Sequence, residues 1–222
     1  MNTVAVVGDK GGSGKTTFVV NLAALASAMA PTLVIDTDPQ ASIEVWSNLR
    51  PAELMRPKCL ASTAHKLPQH VADARRAQFE WTLIDTAPGE PPAARVAVQA
   101  ADLVLIPIKP DLFNFEAIVK TVAMVRSYRK MYGIFINSAP AKREGREAPL
   151  VRTIRHKLHE DENLAHFGKF LWNAQITGRN IVPTALNQGL GIVEVASDEL
   201  AEQEFRSLWL AVAHLLEVGK KR

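Results

Sequence analysis

The chain has 222 residues, 47% hydrophobic and 22% charged, with a formal net charge of +3. No apolar run reaches the roughly 18 residues that a membrane span needs, and no basic stretch followed by an apolar signal segment precedes "TVAVVG". The single cysteine, Cys59, excludes an internal disulfide or a multi-cysteine metal cluster within one chain, so one cytoplasmic domain spanning residues 1–222 is expected.

The first element is a strand, "TVAVV" at 3–7. It runs into "GDKGGSGKTT" (8–17), and the Ala/Leu-rich stretch from Thr16 to Met29 reads as a helix stopped by Pro31. Strand, glycine loop, Lys-Thr and helix in this order form the context of a phosphate-binding loop. Gly11, Gly12 and Gly14 permit a tight turn around Ser13, so that backbone N–H groups face the phosphates at a positive helix end. Lys15 is placed to reach the β/γ-phosphates, and the hydroxyl of Thr16, followed by Thr17, to ligate Mg2+. The loop departs from Gly-x-x-x-x-Gly-Lys-Thr, because position 9 is Asp9 and a second lysine, Lys10, precedes the glycines.

A second buried strand, "TLVI" (32–35), leads into "VIDTDPQAS" (34–42). Asp36 and Asp38 lie two apart, so on extended chain they share a side. One can organise a Mg2+ shell and the other an attacking water, or both can cap the turn into a helix after Pro39. A third strand, "WTLI" (81–84), ends at Asp85, which fits a strand-end aspartate that binds Mg2+ directly or through water. Thr86–Gly89 follow as a loop that senses the γ-phosphate. Beyond it come a helix at 91–100, the strand "LVLIPI" (103–108), a helix at 115–131, the strand "GIFI" (133–136) and a long loop at 138–149. The last helix spans about 198–218, starting at Ser197 or Asp198. Nearly continuous apolar strands alternating with helices imply an α/β fold, a doubly wound and mostly parallel sheet flanked by helices. Residues 120–157 hold ten Lys/Arg against two acids, an asymmetry that suggests a polyanion partner.

"KGGSGKTT", "DTDPQAS" and "DTAPG" resemble the three signature motifs of the ParA/MinD group of phosphate-loop ATPases with a deviant Walker A motif. "DTDPQASIEVWS" (36–47) looks most like the small plasmid-partition ATPases of the ParF type. The resemblance implies an ATP hydrolase using ATP and Mg2+, with weak intrinsic activity stimulated by a partner. Lys10 matches the signature lysine that reaches the nucleotide of the partner subunit in an ATP-sandwich homodimer. Asp38 matches the residue that positions the hydrolytic water, and Asp36 and Asp85 match the Mg2+ shell. Asn137 falls where relatives contact the adenine base, and Pro110 and Asp111 lie in another base-side loop. No Asn-Lys-x-Asp guanine motif appears, so ATP is preferred. The resemblance also implies nucleoid association through non-specific DNA, with Arg152, Arg155 and Arg179 as candidate contacts, and a small ParB-like adaptor protein. The implied role is partition of a plasmid. Another cargo, such as a carboxysome or chemoreceptor cluster, is the alternative, and so is a small biosynthetic ligase of the dethiobiotin-synthetase type. A membrane cycle is disfavoured, because the stripe Phe205, Leu208, Trp209, Val212, Leu215 and Leu216 lies on a helix that also carries Glu199, Glu202, Glu204 and Glu217.

Overall fold

The computed structural model describes residues 1–89, 91–111, 115–160, 170–195 and 197–221. Seven strands form one sheet in the order β3-β2-β4-β1-β5-β6-β7. They are β1 (Asn2–Val6), β2 (Thr32–Asp36), β3 (Lys58–Ala61), β4 (Trp81–Asp85), β5 (Leu103–Ile108), β6 (Met131–Ala139) and β7 (Leu171–Thr177). Every pairing is parallel. The helices are α1 (Lys15–Ser27), α2 (Ser42–Leu49), α3 (Leu67–Arg76), α4 (Pro91–Ala100), α5 (Phe115–Ser127), α6 (Pro149–Glu160), α7 (Ile181–Leu186) and α8 (Glu199–Lys220).

Parallel strands need crossovers, and helices on both faces bury the sheet twice. Alternate residues of each strand accordingly feed two cores. Ala5, Ile35, Ile84 and Val104 pack under α3, α4, α5 and α6. Val4, Val34, Leu83 and Leu105 pack against α1, α2, α7 and α8. Helix α1 is buried at eleven of its thirteen residues, so its sequence is apolar all round rather than striped. In α8 the expected stripe turns inward. Phe205, Leu208, Val212 and Leu216 are buried, and Trp209 stacks on Trp81 with ring centroids 4.6 Å apart. Asp198 caps this helix by accepting a hydrogen bond from the Ala201 N–H at 2.9 Å. Among the described residues no helix is long and apolar enough to cross a membrane.

Two strands and several helices exceed the expected set. β3, "KCLA", is a short edge strand with half-exposed residues. β7, "LWNAQIT", is interrupted by polar residues because it is the other edge, and its register against β6 shifts twice. The helix expected to end at 131 ends at Ser127, where the chain turns through Arg129 (φ 54°) into β6. The stretch 138–149 is not wholly irregular. Arg143 and Arg146 pair as an antiparallel bridge around Glu144 and Gly145, both at positive φ.

Candidate functional site

Register builds the site. Asp36 lies directly opposite Asp85, and Asp85 directly opposite Val6. The carboxyl ends of β2, β4 and β1 therefore meet at one level, the place where open α/β sheets bind ligands. The loop 8–14 leaves β1 there and enters α1.

Two glycines make that loop possible. Gly12 sits at φ 72° and Gly14 at φ 101°, which L side chains avoid. A Cβ on Gly14 would also lie 2.0 Å from Asn137 Nδ2. Asn137 donates from that nitrogen to the Ser13 carbonyl at 2.8 Å. It thus clamps the loop from β6 and lines the wall of a cavity, a closer tie to the phosphate loop than a base contact alone requires.

Lys15 is buried, and its ammonium donates to the Lys10 carbonyl at 3.3 Å. Burial lowers its pKa, while Asp85, Asp38 and Asp9 oppose the shift. Thr16 donates from Oγ1 to Asp85 Oδ2 at 2.6 Å. Asp85 is fully buried, and desolvation pushes its pKa up to about 7, against the hydrogen bond from Thr16. Burial also raises the pKa of Asp36, although its carboxylate accepts the N–H of Asp38 at 2.9 Å and of Ile43 at 3.2 Å. Asp38 is half-exposed, and its Oδ1 accepts the Gln40 N–H at 2.9 Å. Lys10 and Asp9 are exposed on the loop, and the Lys10 ammonium makes no hydrogen bond or ion pair among the described residues.

The donor set fits a nucleotide with Mg2+. The charges of Asp85, Asp38 and Asp9 act on one buried lysine, Thr16 bonds Asp85 beside it, and the Oγ of buried Ser13 has no partner among the described residues. Asp36 and Asp85, however, spend both carboxylate oxygens on the protein, Asp85 Oδ1 accepting the Thr86 N–H at 3.1 Å. No group of three or more His, Cys, Asp or Glu that could hold a metal exists among the described residues. Mg2+ keeps several waters and uses substrate phosphates, so these two aspartates fit a shell that acts through Thr16 and water.

Two cavities flank the loop. One, of about 370 Å3, is lined by Gly12, Gly14, Thr17, Asn137 and the turn 177–183, with Lys109 and Leu186. That turn was not foreseen. Its signal, Gly178-Arg179 after a strand, was hidden because β7 lacks a continuous apolar run. The second, about 190 Å3, lies on the other side under Asp9, Lys10 and Gly11, and it holds Asp111. Asp111 therefore does not share the cavity of Asn137, and Pro110 lines neither.

Two of the three candidate DNA contacts are committed inside the protein. Arg155 donates to Glu147 at 3.0 Å and to the Trp172 and Ala174 carbonyls at 2.7 and 2.6 Å. Arg179 pairs with Glu204 at 3.3 Å and lies 3.7 Å from Asp198. Only Arg152 is exposed.

Residues 4–156 match the family described as the CobQ/CobB/MinD/ParA nucleotide binding domain. The chain is 35% identical over 120 residues to maintenance of carboxysome distribution protein A of Gloeobacter kilaueensis, a match covering 54% of each. It thus spans about half the length of that relative. To protein IncC of Escherichia coli it is 26% identical over 267 residues, 99% of this chain and 71% of that protein. The septum site-determining protein MinD of Pyrococcus horikoshii, solved with Mg-ADP, superposes with a TM-score of 0.75 over 98% of both chains at 16% identity, which speaks to the fold.

Proposed function

The chain belongs to the CobQ/CobB/MinD/ParA nucleotide-binding family of phosphate-loop ATPases, and from that premise we propose that it is a dimerising ATPase that holds non-specific DNA while ATP-bound and positions a cargo. The observation that carries this reading is the division of labour between two lysines. Lys15 is buried and bound within its own loop, whereas Lys10 stands exposed on the rim.

ATP occupies the cradle 11–17, with its base toward the cavity of Asn137 and the turn 177–183. The Lys15 ammonium donates to the phosphates, whose negative charge opposes the effect of its burial. Thr16, with Asp36 and Asp85 behind it, would hold a Mg2+ ion, which would supply charge neutralisation for the phosphates. Asp38 accepts a hydrogen bond from the attacking water. Lys10 crosses to the partner's nucleotide and stabilises charge on the transferring phosphoryl group. Hydrolysis is thereby tied to dimerisation, and a small adaptor protein accelerates it.

The DNA surface is assigned to exposed cations without an ion-pair partner among the described residues, of which Lys157 lies over the Phe115 ring with its ammonium 5.9 Å from the ring centre. Lys142, Arg143 and Arg146 are exposed on the hairpin tip, and Arg152 and Lys157 are exposed on α6 directly after it. Glu147, one of the two acids of the segment, is spent on Arg155. Such a surface contacts phosphates without reading sequence. In this reading the protein acts in the cytoplasm on the nucleoid. A plasmid is the cargo most in keeping with the sequence motifs, and the carboxysome relative favours a second reading, the same cycle with another cargo.

The test is ATP hydrolysis with and without duplex DNA and adaptor. Stimulation by both supports the switch. A rate that responds instead to a small-molecule substrate, with no response to DNA, points to a biosynthetic ligase and overturns it.

A further inference from the structure

Arg50 is 3% exposed, at the carboxyl end of α2. Every guanidinium nitrogen has a partner. Nε and Nη2 donate to the Met55 carbonyl at 2.9 and 2.8 Å, and Nη1 donates to the Gly189 carbonyl at 3.0 Å. Nη1 and Nη2 also grip Glu194 at 2.8 and 2.5 Å. The guanidinium carbon sits 4.9 Å from the ring centre of Trp46, whose indole N–H donates to the Leu190 carbonyl at 3.3 Å. The partner loop is shaped for this approach. Gly189 has φ 72°, and a Cβ there would lie 2.4 Å from the backbone nitrogen of Arg50, so the glycine lets the end of α2 come close.

A buried ion pair is weak evidence for stability, because well-packed apolar residues often do as well or better. What this pair joins is more telling. Upstream, the first turn of α2 closes on the site, since the Ile43 N–H donates to Asp36 Oδ2, and Asp38 hangs on the turn between them. Downstream, Glu194 accepts the Gly191 N–H at 2.8 Å, and the Ile192 N–H donates to Asn21 Oδ1 at 2.6 Å. Asn21 donates in turn to the Thr17 carbonyl at 2.8 Å, in the first turn of α1. The contacts close a loop from Asp36 through α2, Arg50, Glu194 and Asn21 to the phosphate cradle.

We propose that Arg50 and Glu194 are positioning residues for hydrolysis, fixing the Asp36–Asp38 turn at one distance from the phosphate loop. The cradle itself rests on β1 and α1 and binds phosphates without this strut. The turn that carries Asp38 depends on α2 for its far anchor. Loss of the strut therefore misplaces the water-orienting carboxylate more than it weakens nucleotide binding, and geometric errors of about 1 Å can cost on the order of a hundredfold in rate. The inference rests on the ATPase reading with Asp38 in that role.

The deciding variant is Arg50→Met with Glu194→Leu, which removes both charges together. Melting temperature and steady-state ATP hydrolysis, giving kcat and KM, are measured beside the wild type. The expected result is a melting temperature within a few degrees of wild type, KM for ATP changed less than threefold, and kcat lowered at least fivefold. Normal melting with wild-type kcat overturns the proposal and leaves the pair a packing feature, as does a rise in KM that accounts for the whole loss. If the double variant does not fold, Glu194→Gln decides. A kcat lowered at least threefold at unchanged KM supports the proposal, and a wild-type kcat overturns it. A wild type that hydrolyses no ATP, with DNA and adaptor present, overturns the ATPase reading itself and this inference with it.

Discussion

The two lysines of the phosphate loop separate by burial. Lys10→Ala removes a solvated side chain, so the fold and monomeric nucleotide binding should persist, with melting temperature within about 2 °C of wild type. ATP-dependent dimerisation, read by light scattering, and hydrolysis should both be lost. A variant that dimerises and turns over normally would mean that the cation acts only within its own loop. Asp85 offers a test with a defined pH sign. Its folded pKa of about 7 stands above the ordinary 3.8, so the neutral acid is the form that the folded state favours. That contribution to stability is complete below pH ~4 and is lost as pH rises through about 7. Asp85→Asn removes the buried charge, so the nucleotide-free variant should melt above wild type at pH 8, by up to about 4 kcal/mol of stability, with the gap closing toward pH 4. Mg-ATP binding should weaken in the same variant. Equal melting curves at pH 8 would show that the carboxylate is better solvated than its burial indicates. Asp9 remains an exposed acid on the rim of the cavity that also holds Asp111.

At the scale of elements, legibility followed continuity of pattern. β1, β2, β4 and β5 are apolar runs that end at a motif, and the parallel register then places Asp36 beside Asp85 without further information. The edge strands β3 and β7 are polar-interrupted, because an edge need not be buried on both faces. With β7 went the turn 177–183 and half of the cavity beside Asn137. Charge counting found the basic segment but could not say which cations are free. Arg155 reads as surface in sequence, yet it joins α6 to Glu147 and the β7 carbonyls. This gives an opposed pair of outcomes. Arg155→Ala leaves Glu147 half-buried without its partner and strips two carbonyls of donors, so it should lower stability by about 2–4 kcal/mol in thermal melts. Arg143→Ala should leave melting unchanged and weaken DNA binding. If Arg155→Ala melts like wild type and only DNA binding falls, the assignment of the two arginines is reversed.

For the molecule as a whole, the sheet separates its functions in space. In the proposed cycle nucleotide chemistry sits at the carboxyl ends of β1, β2 and β4, and the exposed cations follow β6 on the hairpin and α6. The two are joined through the end of β6. Asn137 holds the Ser13 carbonyl of the cradle, and two residues later Ala139 accepts the Gly178 N–H at 2.8 Å where the hairpin begins. A change in the cradle therefore has a short path to the basic surface, one hydrogen bond and a few residues of chain. If five cations, Lys142, Arg143, Arg146, Arg152 and Lys157, neutralise phosphates, the logarithm of affinity should fall against the logarithm of salt with a slope of about −4 to −5 per subunit. Each neutralising substitution should reduce that slope by about one. The slope should double when ATP brings two subunits onto one duplex, and Lys10→Ala should hold it at the single-subunit value. Fluorescence anisotropy with a labelled duplex, titrated with salt in ATP and in ADP, reads all three. A slope that is the same in both nucleotides would separate DNA binding from the dimer switch and leave the cations as a constitutive anchor.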